Sequence, residues 1–284
     1  MQICETKLDI YALQAGYRKN GHTIGLVPTM GFLHDGHMEL VRQARAACDR
    51  VIVTIFVNPT QFGANEDLSS YPRDLERDIA MLKAEGVDAV FTPSPQEMYV
   101  RGSETIIEAT RLSRILIGRI RPGHFRGVTT VVAKLFNICQ PDRAYFGEKD
   151  YQQLQVIKRM VRDLDMPVEI CGVPTVREAD GLAMSSRNAM LGTKERRGSV
   201  ILSQALFSAE DICLTTSVTA QKLTKFIRSQ IETEPLAQIR SIDIRDAATL
   251  APLRGKINRP AVALLAVSFG DVLLIDQRTF KHGA

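Results

Sequence analysis

Two histidines stand three residues apart in the segment 28–37, which reads PTMGFLHDGH. A predicted strand leads into this segment and a predicted helix leaves it, and parallel α/β sheets bind ligands at such junctions. Gly31 and Gly36 have the spacing of a phosphate-binding P-loop, but His37 follows where that loop requires lysine. What remains is a glycine-bearing turn whose helix N-terminus and two imidazoles can bind an anion. The alternative is a chance pair of histidines near a turn, which the spacing of His34 and His37 disfavours.

A second group, GEKDYQQ at 147–153, also follows a predicted strand and opens a predicted helix. If that helix begins near Asp150, Lys149 and Gln153 lie four residues apart on one face. A lysine neutralises phosphate charge, and a glutamine can hydrogen-bond a neutral polar group of a second substrate. A helix start at which Asp150 only complements the helix dipole explains the segment equally well.

A third group, DGLAMSSRN at 180–188, supplies two hydroxyls and a guanidinium from Ser185, Ser186 and Arg187. On a mobile loop these donors can close over a triphosphate and neutralise departing pyrophosphate. Because Ser-Ser-Arg is common in loops, this segment alone is weak evidence for a nucleotide site. It indicates one only in combination with the His-x-Gly-His segment.

Two further motifs lie between these groups. In FVNPTQF, at 56–62, Gln61 follows a predicted strand at the sheet edge that also carries His34, although Asn-Pro alone is typical of a turn. RPGHFRG, at 121–127, suits either the wall of a pocket or a helix start. The residues alone leave both alternatives open.

The elements that must position these residues alternate between apolar strands and amphipathic helices. Val51–Val57 indicates a strand buried on both faces, and Leu75, Ile79 and Leu82 share one face of a helix. Such alternation predicts an α/β fold with a doubly wound parallel sheet. The predicted strands are 23–28, 51–57, 87–91, 143–146 and 168–173, and the predicted helices lie near 40–47, 75–82, 128–138 and 151–164.

Beyond about residue 176 the pattern changes. Helices near 193–213 and 219–231 and strands near 239–245, 261–267 and 272–275 indicate a smaller α+β domain. We therefore expect domains at 1–176 and 177–284, joined by a short hinge because no Pro/Gly/Ser-rich linker is present.

Composition narrows the function classes. The longest purely apolar run, Ala261–Val267, is far shorter than the ~20 residues that span a bilayer, so no membrane partner is expected. Five widely spaced cysteines form neither a CxxC pair nor a zinc knuckle, which favours reduced thiols in the cytoplasm. The net charge of +4 comes from interspersed signs and indicates no nucleic-acid partner. The basic stretch at 119–126 suits a single phosphate group.

The five motifs together resemble the pantothenate synthetase family, the pantoate:β-alanine ligases within the HIGH-type nucleotidyltransferases. The resemblance rests on PTMGxLHxGH, FVNPxQF, RPGHFRGV, FGEKDxQQ and DGLAxSSRN, which occur in that order over nearly the whole chain. It implies a Rossmann-like domain that binds ATP and pantoate, a smaller C-terminal lid domain, and a homodimer.

The resemblance also implies a reaction in two steps that uses ATP as substrate and Mg²⁺. Pantoate attacks the α-phosphorus of ATP to give pantoyl adenylate and pyrophosphate, and β-alanine then displaces AMP. It implies that His37 donates a proton, that His34 and Lys149 assist catalysis, and that Gln61 and Gln153 bind pantoate, Gln61 lying also beside β-alanine. The ATP-binding residues that it implies are Met30, Gly31, Phe32, Leu33, His34, Asp35, Gly36, His37, Gly147, Glu148, Lys149, Asp150, Val176, Met184, Ser185, Ser186 and Arg187.

Two positions depart from the family pattern. Arg77-Asp78 stands where many members have two acidic residues near the metal-bound nucleotide, which leaves Asp78 as the one carboxylate there. The protein ligands of the metal are therefore left unassigned, and phosphates and water are expected to hold it. Arg119 adds an unusual charge ahead of the RPGHFRG motif.

Two other functions remain as alternatives. A nucleotidyltransferase that joins a nucleotide to a phosphorylated alcohol has a similar loop, but it needs a basic pocket where this chain offers Gln61 and Gln153. A regulatory nucleotide-binding protein would have lost catalytic residues, and every motif residue with a role is intact.

Overall fold

The computed structural model describes residues 1–63 and 68–280, and the chain divides into two compact units. The first unit comprises Met1–Gly147 and Val156–Pro174, and the second comprises Glu148–Gln155 and Thr175–Ala284. This division lies two residues before the boundary expected from sequence and adds one short segment to the second unit. Within the described part of the chain, no helix is long and apolar enough to cross a membrane.

The first unit contains a six-stranded sheet in which every neighbouring pair of strands is parallel. This confirms the doubly wound α/β fold. The strands are β1 (Gln2–Cys4), β2 (Ile24–Thr29), β3 (Arg50–Ile55), β4 (Ala89–Phe91), β5 (Arg143–Gly147) and β6 (Glu169–Val173), in the order β1-β4-β3-β2-β5-β6. The helices are α1 (Lys7–Lys19), α2 (Asp35–Ala47), α3 (Leu75–Ala84), α4 (Pro95–Met98), α5 (Ile117–Ile120), α6 (His124–Cys139) and α7 (Tyr151–Asp163), the last beginning in the second unit.

The central strands owe their position to continuous apolar runs. Leu26 and Val27 of β2 and Ile52 and Val53 of β3 are fully buried, as expected for parallel strands covered on both faces. The strand order reverses between β2 and β5, because the chain builds the sheet from β2 toward β4 and then returns to the other side of β2. In such sheets ligands bind beyond the carboxyl ends of the two strands at this reversal.

The structure corrects two details of the predicted elements. β1 and α1 were not predicted, although Thr6 and Asp9 form a capping box at the start of α1. Leu75 was expected to be buried, whereas its side chain is 47% exposed. Asp78 is buried on α3 instead, since its carboxylate accepts backbone N–H bonds.

The second unit combines helices with an antiparallel sheet, which confirms the predicted α+β character. The predicted helix at 193–213 is two helices, because the chain breaks at Ser199 and Val200. These elements are α8 (Thr193–Gly198), α9 (Ile201–Thr215), α10 (Ala220–Ile231), β7 (Ala237–Asp246), β8 (Ala261–Phe269) and β9 (Val272–Phe280), with strand order β7-β8-β9. Leu206, Leu223 and Val267 lie in its fully buried core.

Candidate functional site

The turn after β2 carries the first group of candidate residues. Gly31 and Phe32 both adopt left-handed backbone conformations, with φ of 81° and 52°. Glycine accepts this conformation freely, whereas a residue with a side chain loses roughly 1–2 kcal/mol there. A Cβ on Gly31 would also lie 3.0 Å from an oxygen of Asp78 and 3.0 Å from the Ile55 side chain. Gly31 is therefore required on both backbone and packing grounds.

A buried carboxylate compensates the strain at Phe32. The N–H of Phe32 donates to Asp78 Oδ2 and the N–H of Leu33 donates to Asp78 Oδ1, both at 2.7 Å. The Asp78 side chain belongs to α3 and is 1% exposed. Burial raises the pKa of Asp78 above its ordinary value, and the two N–H bonds offset part of that shift. Asp78 is thus a structural partner of the turn.

The two histidines come together directly beyond this turn. His34 is the N-cap of α2, and its backbone N–H donates to Nδ1 of His37 at 3.3 Å. Their ring centroids are 4.0 Å apart. Because Nδ1 of His37 accepts a bond, the neutral ring carries its proton on Nε2. His37 can therefore present an N–H donor from Nε2, beside the first-turn N–H groups of α2 at Asp35 and Gly36.

Gln61 faces the same turn with a fixed amide orientation. Its Oε1 accepts a bond from Asn58 Nδ2 at 3.1 Å, and its Nε2 lies 3.0 Å from the sulfur of Met30. Tyr99 fixes the neighbouring amide in turn, because its hydroxyl donates to Asn58 Oδ1 at 2.8 Å. Gln61 consequently offers N–H donors, and not its carbonyl oxygen, on the side of Met30.

The RPGHFRG motif is a helix start that supports Gln61. α6 begins at His124, whose Nδ1–H donates to the backbone oxygen of Gln61 at 2.9 Å. Gly127, one turn further, accepts a bond from Asn58 Nδ2 at 3.2 Å. A Cβ on Gly127 would lie only 2.4 Å from the backbone oxygen of Thr60. Sequence reasoning missed Asn58 and His124 as supports, since nothing local shows that the two motifs touch.

In the second unit, the GEKDYQQ group begins as a 3-10 turn at Glu148–Asp150, and α7 follows directly. The helix thus starts next to Asp150, as the sequence suggested, with Lys149 in the 3-10 turn and Gln153 in the first turn of α7. Lys149 Nζ is 3.4 Å from Asp150 Oδ2, so its ammonium group is weakly engaged. Tyr151 anchors the turn within the unit by donating its hydroxyl to the backbone oxygen of Ala247 at 2.9 Å.

The segment 175–184 forms a hairpin that joins two candidate residues. The N–H of Met184 donates to the backbone oxygen of Val176 at 3.0 Å. Arg177 anchors the hairpin to β9, because its guanidinium makes bonds of 2.7 and 2.9 Å to the two carboxylate oxygens of Asp276. The same guanidinium donates to the backbone oxygen of Gly181 at 3.1 Å. Asp276 is 2% exposed, so this is a buried ion pair.

The Ser-Ser-Arg group follows this hairpin in a 3-10 turn at Ser186–Met190. Ser185 caps the turn by accepting the N–H of Arg187 at 3.3 Å. Asn188 ties it back to the hairpin through bonds of its Nδ2 to Glu178 Oε1 at 2.8 Å and to the Ala183 oxygen at 3.1 Å. The segment is therefore an ordered turn.

The structure thus brings the candidate residues together in separate groups. The first unit collects Met30–His37 with Gln61, and the second collects Val176 with Met184–Arg187 and carries the turn at Glu148–Gln153. Across residues 1–63 and 68–280, no group of three or more His, Cys, Asp or Glu side chains is arranged to hold a metal ion. Asp78 in particular has both oxygens engaged by backbone donors.

Comparison with known proteins gives one consistent result. A family model described as pantoate-beta-alanine ligase matches residues 2–279. The chain is 52% identical to the pantothenate synthetase of Bartonella tribocorum over 277 residues, which is 98% of this chain and 97% of the relative. It is 51% identical to the pantothenate synthetase of Rhizobium meliloti, covering 98% of this chain and 96% of the relative.

Solved structures agree with the sequence matches. The crystal structure of pantothenate synthetase from Thermus thermophilus superposes with a TM-score of 0.92 at 42% identity, covering 98% of this chain and 99% of that one. Pantoate-beta-alanine ligase from Francisella tularensis, complexed with beta-gamma ATP and beta-alanine, gives a TM-score of 0.81 at 35% identity. That comparison covers 98% of this chain and 97% of the other.

The close approach at Gly127 can be tested by substitution. Gly127→Ala is expected to lower the free energy of unfolding by about 1–3 kcal/mol, because the added methyl group overlaps backbone atoms that cannot move aside easily. Urea unfolding monitored by circular dichroism measures the change. Gly16→Ala is the matched control, since a Cβ at Gly16 of α1 meets nothing within 4 Å. A Gly127→Ala protein as stable as the control would contradict the contact.

Proposed function

This chain belongs to the pantoate–β-alanine ligase family and joins pantoate to β-alanine with ATP, and we propose that it does so through a pantoyl adenylate. In the first step a pantoate carboxylate oxygen forms a bond to the α-phosphorus, and the bond to pyrophosphate breaks. In the second step the β-alanine amine attacks the acyl carbon, loses a proton, and AMP leaves. No covalent bond to the protein is needed.

The observation that carries this proposal is the bond from the His34 N–H to His37 Nδ1. It favours the tautomer with the proton on Nε2, and we propose that this N–H donates to a phosphate oxygen as negative charge builds on the departing group. His34 assists as the N-cap residue beside it. The first-turn N–H groups of α2 add donors whose orientation is set before the reaction begins.

We assign the remaining nucleotide-binding roles from the family resemblance. Lys149, Ser185, Ser186 and Arg187 are proposed to neutralise the triphosphate and the departing pyrophosphate. Lys149 suits this role because its ammonium group is positively charged and its contact to Asp150, at 3.4 Å, is weak. The full ATP-binding set that we propose is Met30, Gly31, Phe32, Leu33, His34, Asp35, Gly36, His37, Gly147, Glu148, Lys149, Asp150, Val176, Met184, Ser185, Ser186 and Arg187. Residues 1–176 are proposed as the ATP- and pantoate-binding domain and 177–284 as the C-terminal lid domain.

Gln61 and Gln153 are the proposed pantoate ligands, and Gln61 also lies beside the proposed β-alanine position. The fixed amide of Gln61 supports its part. Since Asn58 occupies its Oε1, Gln61 offers N–H groups, which match the carboxylate and hydroxyl oxygens of pantoate as acceptors.

We propose that Mg²⁺ binds to the phosphates of ATP. The described residues do not form a protein cage for it, so the phosphates and water are expected to supply its oxygen ligands. The roles given to His37, Gln61 and Lys149 do not depend on a metal ligand from the protein.

We also propose a cytoplasmic homodimer, as the resemblance implies. All five cysteines are free thiols, which suits a reducing compartment. Sedimentation equilibrium of the purified protein is expected to give twice the 31.5 kDa mass of one chain. A mass near that of one chain at micromolar concentration would contradict the dimer.

The adenylate step predicts an exchange reaction. With pantoate, ATP and Mg²⁺ but no β-alanine, labelled pyrophosphate is expected to enter ATP, because the first step is reversible. His37→Ala is expected to lower the exchange rate about 100-fold or more, the usual effect of removing one donor to a developing charge. Retained ATP affinity, measured by calorimetry, controls for misfolding of the variant.

Absence of exchange in a wild-type protein that still forms pantothenate would overturn the adenylate pathway. Exchange that does not require pantoate would favour nucleotidyl transfer to another acceptor. Binding of ATP with neither exchange nor product would favour a regulatory protein.

The amide orientation predicts the effect of a change that keeps side-chain size. Gln61→Glu replaces the N–H donors with a carboxylate that faces an anionic substrate. Loss of a hydrogen bond to a charged group removes about 1.5–3 kcal/mol, so the KM for pantoate is expected to rise about 10- to 100-fold with little change for ATP. Steady-state kinetics measures both constants. Gln238→Glu, an exposed change on β7, is the control, and equal kinetics for the two variants would refute the assignment.

A further inference from the structure

In the turn after β2, three consecutive backbone N–H groups each donate to a side-chain acceptor. Those of Phe32 and Leu33 point to the two oxygens of Asp78, and that of His34 points to Nδ1 of His37. The peptide units are joined, so the direction of the third N–H depends on the placement of the first two. A buried side chain on α3 therefore determines how the His37 ring is held.

We propose that Asp78 is a positioning residue for the adenylation step and is not a ligand of the metal. Its carboxylate fixes the left-handed turn at Phe32, the turn fixes the His34 N–H, and that N–H holds the His37 ring with Nε2 carrying the proton. The role rests on the function proposed above for His37. Asp78 acts through the backbone and does not touch the reacting atoms.

The surroundings of Asp78 suit a backbone clamp, by which we mean its two bonds from the N–H groups of Phe32 and Leu33, and do not suit a cation site. Both of its oxygens are 2.7 Å from backbone nitrogens, and the side chain is 1% exposed. The adjacent side chain is the cation Arg77, at the position that departs from the family pattern of two acidic residues. The Arg77 guanidinium lies 5.6 Å from the centre of the Phe32 ring, a cation–π contact. Two adjacent residues of α3 thus contact Phe32: Asp78 binds its backbone N–H, and Arg77 lies against its ring.

The unusual Arg77 is consistent with this role. A divalent cation beside a guanidinium experiences repulsion, which a site with one engaged carboxylate does not offset. The pair Arg77-Asp78 therefore makes two contacts to one strained residue and does not form a cation site.

The test compares Asp78→Asn with Glu76→Gln. Both changes remove one negative charge from the first turn of α3, but Glu76 is exposed. In Asp78→Asn an amide N–H₂ faces one of the backbone donors, so the turn loses an acceptor. We expect kcat for pantothenate formation to fall about 100-fold, as for a misplaced catalytic group. The KM for pantoate and the half-saturating Mg²⁺ concentration are expected to stay within about threefold of the wild-type values, since in this proposal Asp78 contacts neither pantoate nor Mg²⁺.

A spectroscopic measurement separates positioning from a general loss of structure. The chain has five histidines, so a long-range ¹H–¹⁵N spectrum of histidine-labelled protein can resolve each ring, with His37→Ala assigning one. In the wild type and in Glu76→Gln, the His37 nitrogens are expected to show the Nε2–H tautomer. In Asp78→Asn they are expected to shift toward a mixture of tautomers, while the rings of His22 and His124 stay unchanged.

Two results would overturn the proposal. One is an Asp78→Asn protein with wild-type kcat and an unchanged His37 spectrum. The other is a half-saturating Mg²⁺ concentration raised tenfold or more with kcat restored at saturation, which is the behaviour of a metal ligand.

If Asp78→Asn does not fold, Asp78→Glu decides between the same outcomes, because it keeps the charge but moves the carboxylate by one methylene. A folded Asp78→Glu protein is expected to show the same loss of kcat and the same change at His37, and wild-type values would overturn the clamp. Failure of the adenylate pathway is recognised separately, because wild-type protein would then show no pantoate-dependent pyrophosphate exchange. The His37 spectrum would still test the clamp.

Discussion

The way in which the chain leaves β2 is the constraint on which the first unit's candidate site depends. Only five residues, Met30–His34, connect the end of β2 to the start of α2. Within them the chain passes through two left-handed residues, and the second has a side chain and needs compensation. The buried carboxylate of Asp78 supplies it with two short bonds. The His37 ring is therefore tied to the backbone of the turn through the His34 N–H.

In the second unit, a buried ion pair holds the hairpin that carries candidate residues. Its hairpin at 175–184 buries Leu182 in the hydrophobic core, and Arg177 attaches it to Asp276 on β9. Such a pair adds little net stability, because removing two charges from water offsets their attraction. Its two parallel bonds and the bond to Gly181 do, however, favour a single register of the hairpin. Val176 and Met184 are thereby held in one relative position.

The parallel sheet and the α+β unit could be predicted because their signals are local. Apolar runs such as Val51–Val53 favour buried strands by themselves, whereas β1 has three residues and joins the sheet only by pairing with β4. The supports of the site have no such signal. His124 contacts Gln61 across 63 residues of chain, and Asp78, although it shares a face of α3 with Leu82, is of a residue type that is mostly exposed. A single sequence shows which residue types stand at unexpected positions, but it does not show which distant backbone atoms those residues contact.

The polarity of the first unit's groups explains why these supports matter. Both proposed substrates, pantoate and ATP, are anions, so their reaction brings together groups that repel each other. The protein must meet them with donors while keeping its own acceptors away. Asn58 engages the carbonyl oxygen of Gln61, the His34 N–H engages Nδ1 of His37, and two N–H groups engage Asp78. Each internal bond occupies an acceptor, and the N–H groups of Gln61 and His37 are of the kind that suits an anionic substrate. The hydrogen bonds that stabilise the fold here also favour donor atoms on Gln61 and His37, which is what the proposed reaction needs.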